Sequence, residues 1–345
     1  MSNEAILKQT TTIKDALRRI DSLAGQTLFV VDEDERMIGS LTDGDIRRAL
    51  IKDALLDDSI ETVMSTNFKS LRQNEFSSGL IRQLKKSGIE YVPLLSQENR
   101  IISIYNLEEL DSVLPLEAII MAGGKGSRLK PLTLSTPKPL LEVGGKPIIE
   151  HNIDRLIKNG INKIYISVNY LKEQIKEYFG DGSIKGISIE YIEEEHTTGT
   201  LGSATYVDSF TTEDLLVMNS DLLTDINFSD MYESYLANKA EMAVATVPYK
   251  VNVPYGVIET KNSSVISLKE KPTYTYYSNA GIYIINANCI REIPQRSFYN
   301  ATDLIEKLIS EKREVTNFPI LNYWLDIGKP NDFEKAQEDI KHLKL

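Results

Sequence analysis

From Glu117 onward, short apolar runs alternate with amphipathic ones, and that alternation restricts the chain to few folds. "EAIIMA" (117–122), "KIYISV" (163–168), "LLVMNS" (215–220) and "EMAVATV" (241–247) read as buried strands. "PIIEHNIDRLIKNG" (147–160) and "LKEQIKEYFG" (171–180) carry apolar residues at helical spacing. Strands alternating with helices predict an α/β domain built on a mainly parallel, doubly wound sheet. Ligands of such sheets bind beyond the carboxyl ends of the strands. At one such end stands "AGGKGSRLKPLTLSTPKPLL" (122–141), with three glycines, four basic residues and three prolines.

The first third is different. "TLFVVDEDERMIGSLTDGDIRRAL" (27–50) reads as strand, acidic turn, strand and helix start, and "EYVPLLSQENRIISIYNLEEL" (90–110) repeats that order. Each follows an amphipathic segment, "IKDALRRIDSL" or "SGLIRQLKKSGI". One supersecondary unit used twice, each copy covering the other's apolar face, explains the repetition. Pro115, in "DSVLPLE", interrupts the pattern and sets the expected boundary: residues 1–115, then 116–345.

"GSLTDGDIRRAL" resembles the first copy of a CBS-domain pair, a regulatory and dimerising module. The resemblance implies that Thr42 and Asp45 grip an adenine nucleotide. An Asp carboxylate can accept both ribose hydroxyl protons, and a Thr at a helix start can meet phosphate. The same two residues also suit a helix cap ahead of Ile46. In the second copy the aligned positions are Asn106 and Glu109, which weakens the case for a second nucleotide there.

A formal net charge of -11 argues against nucleic acid and anionic membranes as partners, both of which call for a basic field. Cys289 is the sole cysteine, so no intrachain disulfide forms and a reducing compartment fits. His151, His196 and His342 are scattered, unlike a zinc site. The N-terminal residues lack a signal-peptide pattern, and no apolar run approaches the roughly 20 residues that span a bilayer. A cytoplasmic protein is expected.

The glycine-rich stretch fits neither Gly-x-x-x-x-Gly-Lys-Ser/Thr nor Gly-x-Gly-x-x-Gly. Glycines alone make only a tight turn, but Lys125, Arg128, Lys130 and Lys138 lie around them, and such a loop suits polyphosphate. Lys125 and Lys130 read equally well as solvated surface charges. "GGKGSRLKPLTLSTPKPLL" resembles the signature of sugar-1-phosphate nucleotidyltransferases, or NDP-sugar pyrophosphorylases. Further elements follow in the family's order: "TTGTLGSA" (197–204), "NSD" (219–221), "EKP" (270–272) with "SNAGIYII" (278–285), and "WLDIG" (324–328).

That resemblance implies a Rossmann-like nucleotidyltransferase domain and a division of labour among residues. Ala122, Gly123, Gly124, Gly126, Gly199 and Thr200 would line the nucleotide, with Glu194 at the base-reading position. Arg128, Lys138 and Asp221 would be catalytic, and Asp221 and Asp326 would hold Mg²⁺. Gly256, Glu270, Lys271 and Asn279 would bind the sugar phosphate. Guanine offers two adjacent donors that a carboxylate can accept, so Glu194 favours GTP; a solvated acidic strand end at 193–195 is the plainer reading. The expected reaction transfers a nucleotidyl group from an NTP to a sugar 1-phosphate. With the CBS pair, the chain resembles glucosamine-1-phosphate guanylyltransferases that feed legionaminic acid and surface glycan synthesis, as a homodimer. Uridylyl or thymidylyl transfer, mannose 1-phosphate as acceptor, and a non-catalytic nucleotide-sugar sensor remain as alternatives.

Overall fold

A computed structural model describes residues 3–72, 78–194 and 196–343. The chain divides into two units, Met1–Pro115 and Leu116–Leu345.

In the first unit the repeat is visible as two three-stranded sheets of the same design. The first runs β1 (Ile6–Lys8), α1 (Ile13–Ser22), β2 (Leu28–Val31), β3 (Met37–Leu41) and α2 (Asp43–Leu50). The second runs β4 (Leu71–Arg72), α3 (Ser78–Lys86), β5 (Tyr91–Leu95) and β6 (Ile101–Asn106). In each, the first two strands pair in parallel and the last two antiparallel. Leu95 and Ile104 of the second copy complete a core of Leu28, Val30, Leu41 and Ile46 from the first, so each copy needs the other to bury its apolar face. The expected helix after β6 is a correction. Leu107–Glu109 forms a single 3-10 turn, because Leu110 turns back to extended backbone after it.

Thr42 and Asp45 make a reciprocal cap. The Thr42 hydroxyl accepts from Asp45 N–H at 3.2 Å, while Asp45 Oδ2 accepts from the Thr42 N–H at 2.9 Å and its hydroxyl at 2.6 Å. Arg48 donates to the other oxygen at 2.6 Å. The Thr42 N–H thereby gains a partner at the start of α2, and the Asp45 N–H gains a second beside Thr42 O at 3.1 Å.

The second unit begins with β7 (Leu116–Met121) and a two-stranded turn of β8 (Glu142–Val143) and β9 (Lys146–Pro147). Next come α4 (Ile148–Lys158), β10 (Lys163–Val168), α5 (Lys172–Phe179), β11 (Ser188–Glu193), β12 (Asp214–Asn219) and β13 (Leu222–Thr224). They are followed by α6 (Phe228–Ala237), β14 (Met242–Asn252), β15 (Val257–Lys261), β16 (Ser264–Lys269) and β17 (Thr273–Asn286). Last are α7 (Ala287–Arg291), α8 (Ala301–Ser310), β18 (Val315–Pro319), β19 (Trp324–Asp326) and α9 (Pro330–Asp339).

Seven strands form the main sheet, in the order β11-β10-β7-β12-β17-β14-β18. β17 alone pairs antiparallel to both neighbours; the other contacts are parallel. Ala118, Ile119 and Ile120 of β7 and Leu215 and Leu216 of β12 are fully buried, as strands covered on both faces must be. α4 buries Ile148, Ile149, Ile153 and Leu156, a helical stripe that fixes it against the sheet. β10 and β11 lie to one side of β7 and β12 to the other. The loops after β7 and β12 therefore leave at the point where strand order reverses, the usual ligand crevice of an open α/β sheet.

Candidate active site

Two short connections build the floor of that crevice. Met121 and Asn219 lie side by side at the ends of β7 and β12. Ala122 is buried and extends the ladder, its N–H donating to Ser167 O at 2.9 Å. The chain then turns through Gly126 at φ +58°, a left-handed position. A Cβ on Gly126 would lie 2.9 Å from both Lys138 Cβ and Thr133 Cγ2, so conformation and space both require glycine. The buried Thr133 hydroxyl and the Leu129 N–H donate to Gly126 O, each at 2.9 Å. Gly124 faces open space, and Lys125, Arg128 and Lys130 are exposed.

Lys138 is the cation that folding draws inward. It is only 8% exposed. Its ammonium donates to Asp221 Oδ2 and stands 3.9 Å from Asp326 Oδ1. The two aspartates, 105 residues apart by their numbers, meet because β13 and β19 pair antiparallel with Leu222 opposite Asp326. Ile327 N–H then donates to Asp221 O at 3.0 Å. The guanidinium of Arg128 packs beside Gly328, two residues beyond Asp326.

Electrostatically the cluster is unbalanced. Among the described residues, Asp326 Oδ1 is the buried side-chain oxygen or nitrogen that lacks a hydrogen-bond partner. Burial, then the neighbouring Asp221 charge, push the Asp326 carboxyl above its ordinary range, against the opposing pull of Lys138 and Arg128. Among the described residues, no group of three or more His, Cys, Asp or Glu side chains could enclose a metal by itself. Two hard carboxylates with one unpaired buried oxygen suit a Mg²⁺-type cation that completes its shell with water and substrate phosphate.

The opposite wall is made by Glu194, just past β11. Its carboxylate accepts from the Ser167 hydroxyl on Oε1, and from Thr198 N–H (3.1 Å) and hydroxyl (2.9 Å) on Oε2. A Cβ on Gly123 would sit 3.0 Å from that Oε1, so glycine lets the loop close onto the carboxylate. Glu194 is thus half-buried and bonded, unlike a solvated strand end. Glu193 is exposed, and Lys172 and Lys176 hold its carboxyl down at about 2; Glu195 lies outside the described residues. Gly199 and Thr200 belong to a loop tied to the start of α8: Leu201 N–H donates to Tyr299 O at 2.9 Å, and Ala301 N–H to the Thr200 hydroxyl at 2.6 Å.

The third group lies on the strands that follow. Gly256 packs against Glu270 and Leu268. Glu270 and Lys271 are exposed in the link from β16 to β17. Asn279, on β17, accepts from Gly281 N–H at 2.9 Å, and Gly281 packs against Asn219, two residues before Asp221.

One residue of consequence carries no motif. Asn152 sits mid-helix in α4, 2% exposed, and its amide donates to Leu222 O at 3.0 Å and Ser220 O at 3.4 Å. These are the carbonyls on either side of Asp221. Three positions on, Arg155 donates to Thr224 O and Ile226 O. A buried amide on the apolar stripe of a helix was the available signal, since such a group must find partners.

A family model described as nucleotidyl transferase matches residues 117–342, and a CBS-domain model matches residues 1–52. The chain belongs to the nucleotidyl transferase family. This nucleotidyl transferase is 34% identical over 230 residues to the D-glycero-alpha-D-manno-heptose 1-phosphate guanylyltransferase of Aneurinibacillus thermoaerophilus, covering 66% of this chain and 99% of that one. It is 31% identical over 231 residues to the mannose-1-phosphate guanylyltransferase of Mycobacterium tuberculosis, covering 65% of this chain and 64% of the relative. The crystal structure of HddC from Yersinia pseudotuberculosis superposes with a TM-score of 0.52 at 25% identity, covering 65% of this chain and 99% of that one. The α/β fold and the nucleotidyltransferase resemblance read from the motifs therefore hold. The CBS match covers the first repeat of the first unit. No described helix is long and apolar enough to cross a membrane.

Proposed function

We propose that this nucleotidyl transferase moves a nucleotidyl group from an NTP, with GTP favoured, to a sugar 1-phosphate, with glucosamine 1-phosphate favoured, releasing pyrophosphate. The observation that carries the reading is the Lys138 ammonium set between Asp221 and Asp326 at the lip of the glycine loop. The names of the relatives support a guanylyl donor and a hexose- or heptose-type 1-phosphate acceptor.

A phosphate monoester has a second pKa near 6, so the sugar phosphate is mostly dianionic at pH 7 and needs no general base. Its oxygen forms a bond to the α-phosphorus as the bond to the bridging oxygen of the β-phosphate breaks, and pyrophosphate leaves. What the protein supplies is position and charge. Ala122, Gly123, Gly124 and Gly126 take the triphosphate against backbone, and Arg128 meets the departing pyrophosphate. Lys138 moves from the aspartates to the α-phosphate. Gly199 and Thr200 close over the nucleoside, and Glu194 reads the base. Gly256, Glu270 and Asn279 orient the sugar, with Lys271 on its phosphate. Asp221 and Asp326 would hold Mg²⁺, which supplies Lewis-acid neutralisation between two anionic phosphates.

Pyrophosphate release measured with each NTP against a panel of sugar 1-phosphates tests this. GTP with glucosamine 1-phosphate is expected to give the highest kcat/KM. A preference for UTP or dTTP removes the guanine reading, and no release with any pair removes the enzymatic one.

Asn152 enters as a positioning residue. Asn152→Leu is expected to raise the Mg²⁺ concentration for half-maximal rate by about tenfold, with most of kcat recovered at saturating Mg²⁺. A kcat loss that Mg²⁺ does not recover would assign Asn152 to folding alone.

The finer biological setting is also a proposal: a cytoplasmic enzyme of legionaminic acid or related surface-glycan synthesis. An adenine nucleotide at the CBS unit would have to compete with the Thr42–Asp45 cap and the Arg48 ion pair for the same oxygens. Equilibrium dialysis with AMP, ADP and ATP decides whether one does.

A further inference from the structure

On the reading of Glu194 as the residue that meets the base, we infer that Ser167 is a positioning residue for base selection. Its buried hydroxyl holds one carboxylate oxygen of Glu194 where guanine reaches it. Glu194 hangs from the end of β10 by three consecutive residues. Ser167 Oγ donates to Glu194 Oε1. Val168 O accepts from the Glu194 N–H at 3.0 Å. Asn169 Nδ2 donates to Glu194 O at 2.8 Å. Val168 and Asn169 fix the backbone. The side chain is left to Ser167 and, from the loop that follows, to Thr198.

The two oxygens are not held alike. Among the described residues, Thr198 places its N–H and its hydroxyl on Oε2, and Ser167 places one hydroxyl on Oε1. An ionised carboxylate offers about four acceptor positions, so Oε1 is the oxygen with more room for a further donor. It is also the oxygen beside the glycine loop, since a Cβ on Gly123 would stand 3.0 Å from it. The last side-chain torsion of a glutamate is soft. Without the Ser167 hydroxyl the carboxylate is held from the Thr198 side alone and can rotate away from Gly123.

Charge points the same way. Glu193, one residue earlier, has its carboxylate clasped by the ammonium groups of Lys172 and Lys176. The groups that reach Glu194 are a backbone N–H and two hydroxyls, all neutral, so they orient the carboxylate without cancelling its charge. An oriented anion favours a base edge made of donors and opposes one that presents oxygens. Guanine offers a ring N–H and an exocyclic amino group side by side; uracil and thymine flank their ring N–H with two carbonyls. Ser167 is fully buried, so bulk water does not compete for its hydroxyl. Its carbonyl accepts from Ala122 N–H at 2.9 Å, so one residue sets the base reader and the start of the glycine loop in a common frame.

Inosine triphosphate, whose base lacks the exocyclic amino group, is the probe, used with the full chain. The parent is expected to show a kcat/KM for GTP about tenfold or more above that for inosine triphosphate, and Glu194→Gln to remove most of that ratio. Ser167→Ala is expected to lower the ratio by roughly fivefold to tenfold, with the loss falling on the KM for GTP. In the Glu194→Gln background the same substitution should lower it no further, because Ser167 acts through Glu194. Both nucleotides are turned over by one preparation, so the ratio does not depend on how much of a variant is folded. An undiminished ratio in Ser167→Ala, with both nucleotides slowed equally, would give Ser167 a structural role only and overturn the inference, as would a further fall in the double variant. A parent that does not distinguish the two nucleotides would instead remove the base-reading role of Glu194, and the role of Ser167 with it.

Discussion

Asp221→Ala and Asp326→Ala are each expected to lower turnover by about a thousandfold or more while leaving the fold intact. The carboxylates meet through one strand pair and share one ammonium, so neither can substitute for the other in holding a cation against substrate phosphate. Their effects on stability should differ. Asp221 is the direct partner of Lys138, and its loss leaves that nearly buried ammonium with the weaker contact to Asp326. Asp326 has its carboxyl pushed above the ordinary range by burial and by Asp221, so the folded chain binds that proton more tightly than the unfolded one. Its contribution to stability is therefore present at pH values below the ordinary carboxylate range and is lost as pH rises through the raised pKa. Above that raised pKa the ionised group opposes folding, and there Asp326→Ala should melt at the same temperature as the parent or higher. Calorimetry above that pKa beside steady-state kinetics checks both. An unchanged kcat in either variant contradicts the metal assignment, and a markedly lower melting temperature in Asp326→Ala contradicts the electrostatic account.

Lys138→Met should have an effect of similar size on kcat/KM, about a hundredfold to a thousandfold, with a different signature. The substitution keeps the stem that packs over Gly126 and removes the charge. Two carboxylates then face each other with only the weaker pull of Arg128 to offset them, so the variant should melt lower than the parent in chelator. Mg²⁺ should recover more of that loss in the variant than it adds to the parent, since the cation takes over the neutralising role. Differential scanning fluorimetry with EDTA and with Mg²⁺ measures this directly. A variant equally stable in both buffers would mean that the ammonium does not balance the aspartates.

The parts of the molecule legible in the sequence share a physical reason. β7, β10, β12 and the first half of β14 are buried on both faces and read as continuous apolar runs, and α4 and α5 show their stripe at helical spacing. Lys138, Asp221 and Asp326 were named because each stands inside a recognisable motif; that they meet follows from the antiparallel pairing of β13 and β19, which no local pattern encodes. Asn152 was missed because its work is done on carbonyls some seventy residues away, by one amide in an otherwise ordinary helix. The β15–β16 hairpin was missed because it is exposed on both faces and so lacks the alternation that marks a half-buried strand. Family spacing puts Glu194 at the base-reading position, but its ties to Ser167 and Thr198 depend on β10 lying beside β11. The second repeat, which was expected to end in a helix like the first, stops after one turn.

The most direct test is a titration of Mn²⁺, as a paramagnetic stand-in for Mg²⁺, followed by electron paramagnetic resonance in the presence of a non-hydrolysable GTP analogue. The parent chain should bind one ion per active site only when nucleotide is present, and both Asp221→Ala and Asp326→Ala should weaken it by tenfold or more beyond the affinity of the free nucleotide complex. Undiminished binding in both variants would place the ion elsewhere and contradict a shared site of the two aspartates beside the glycine loop.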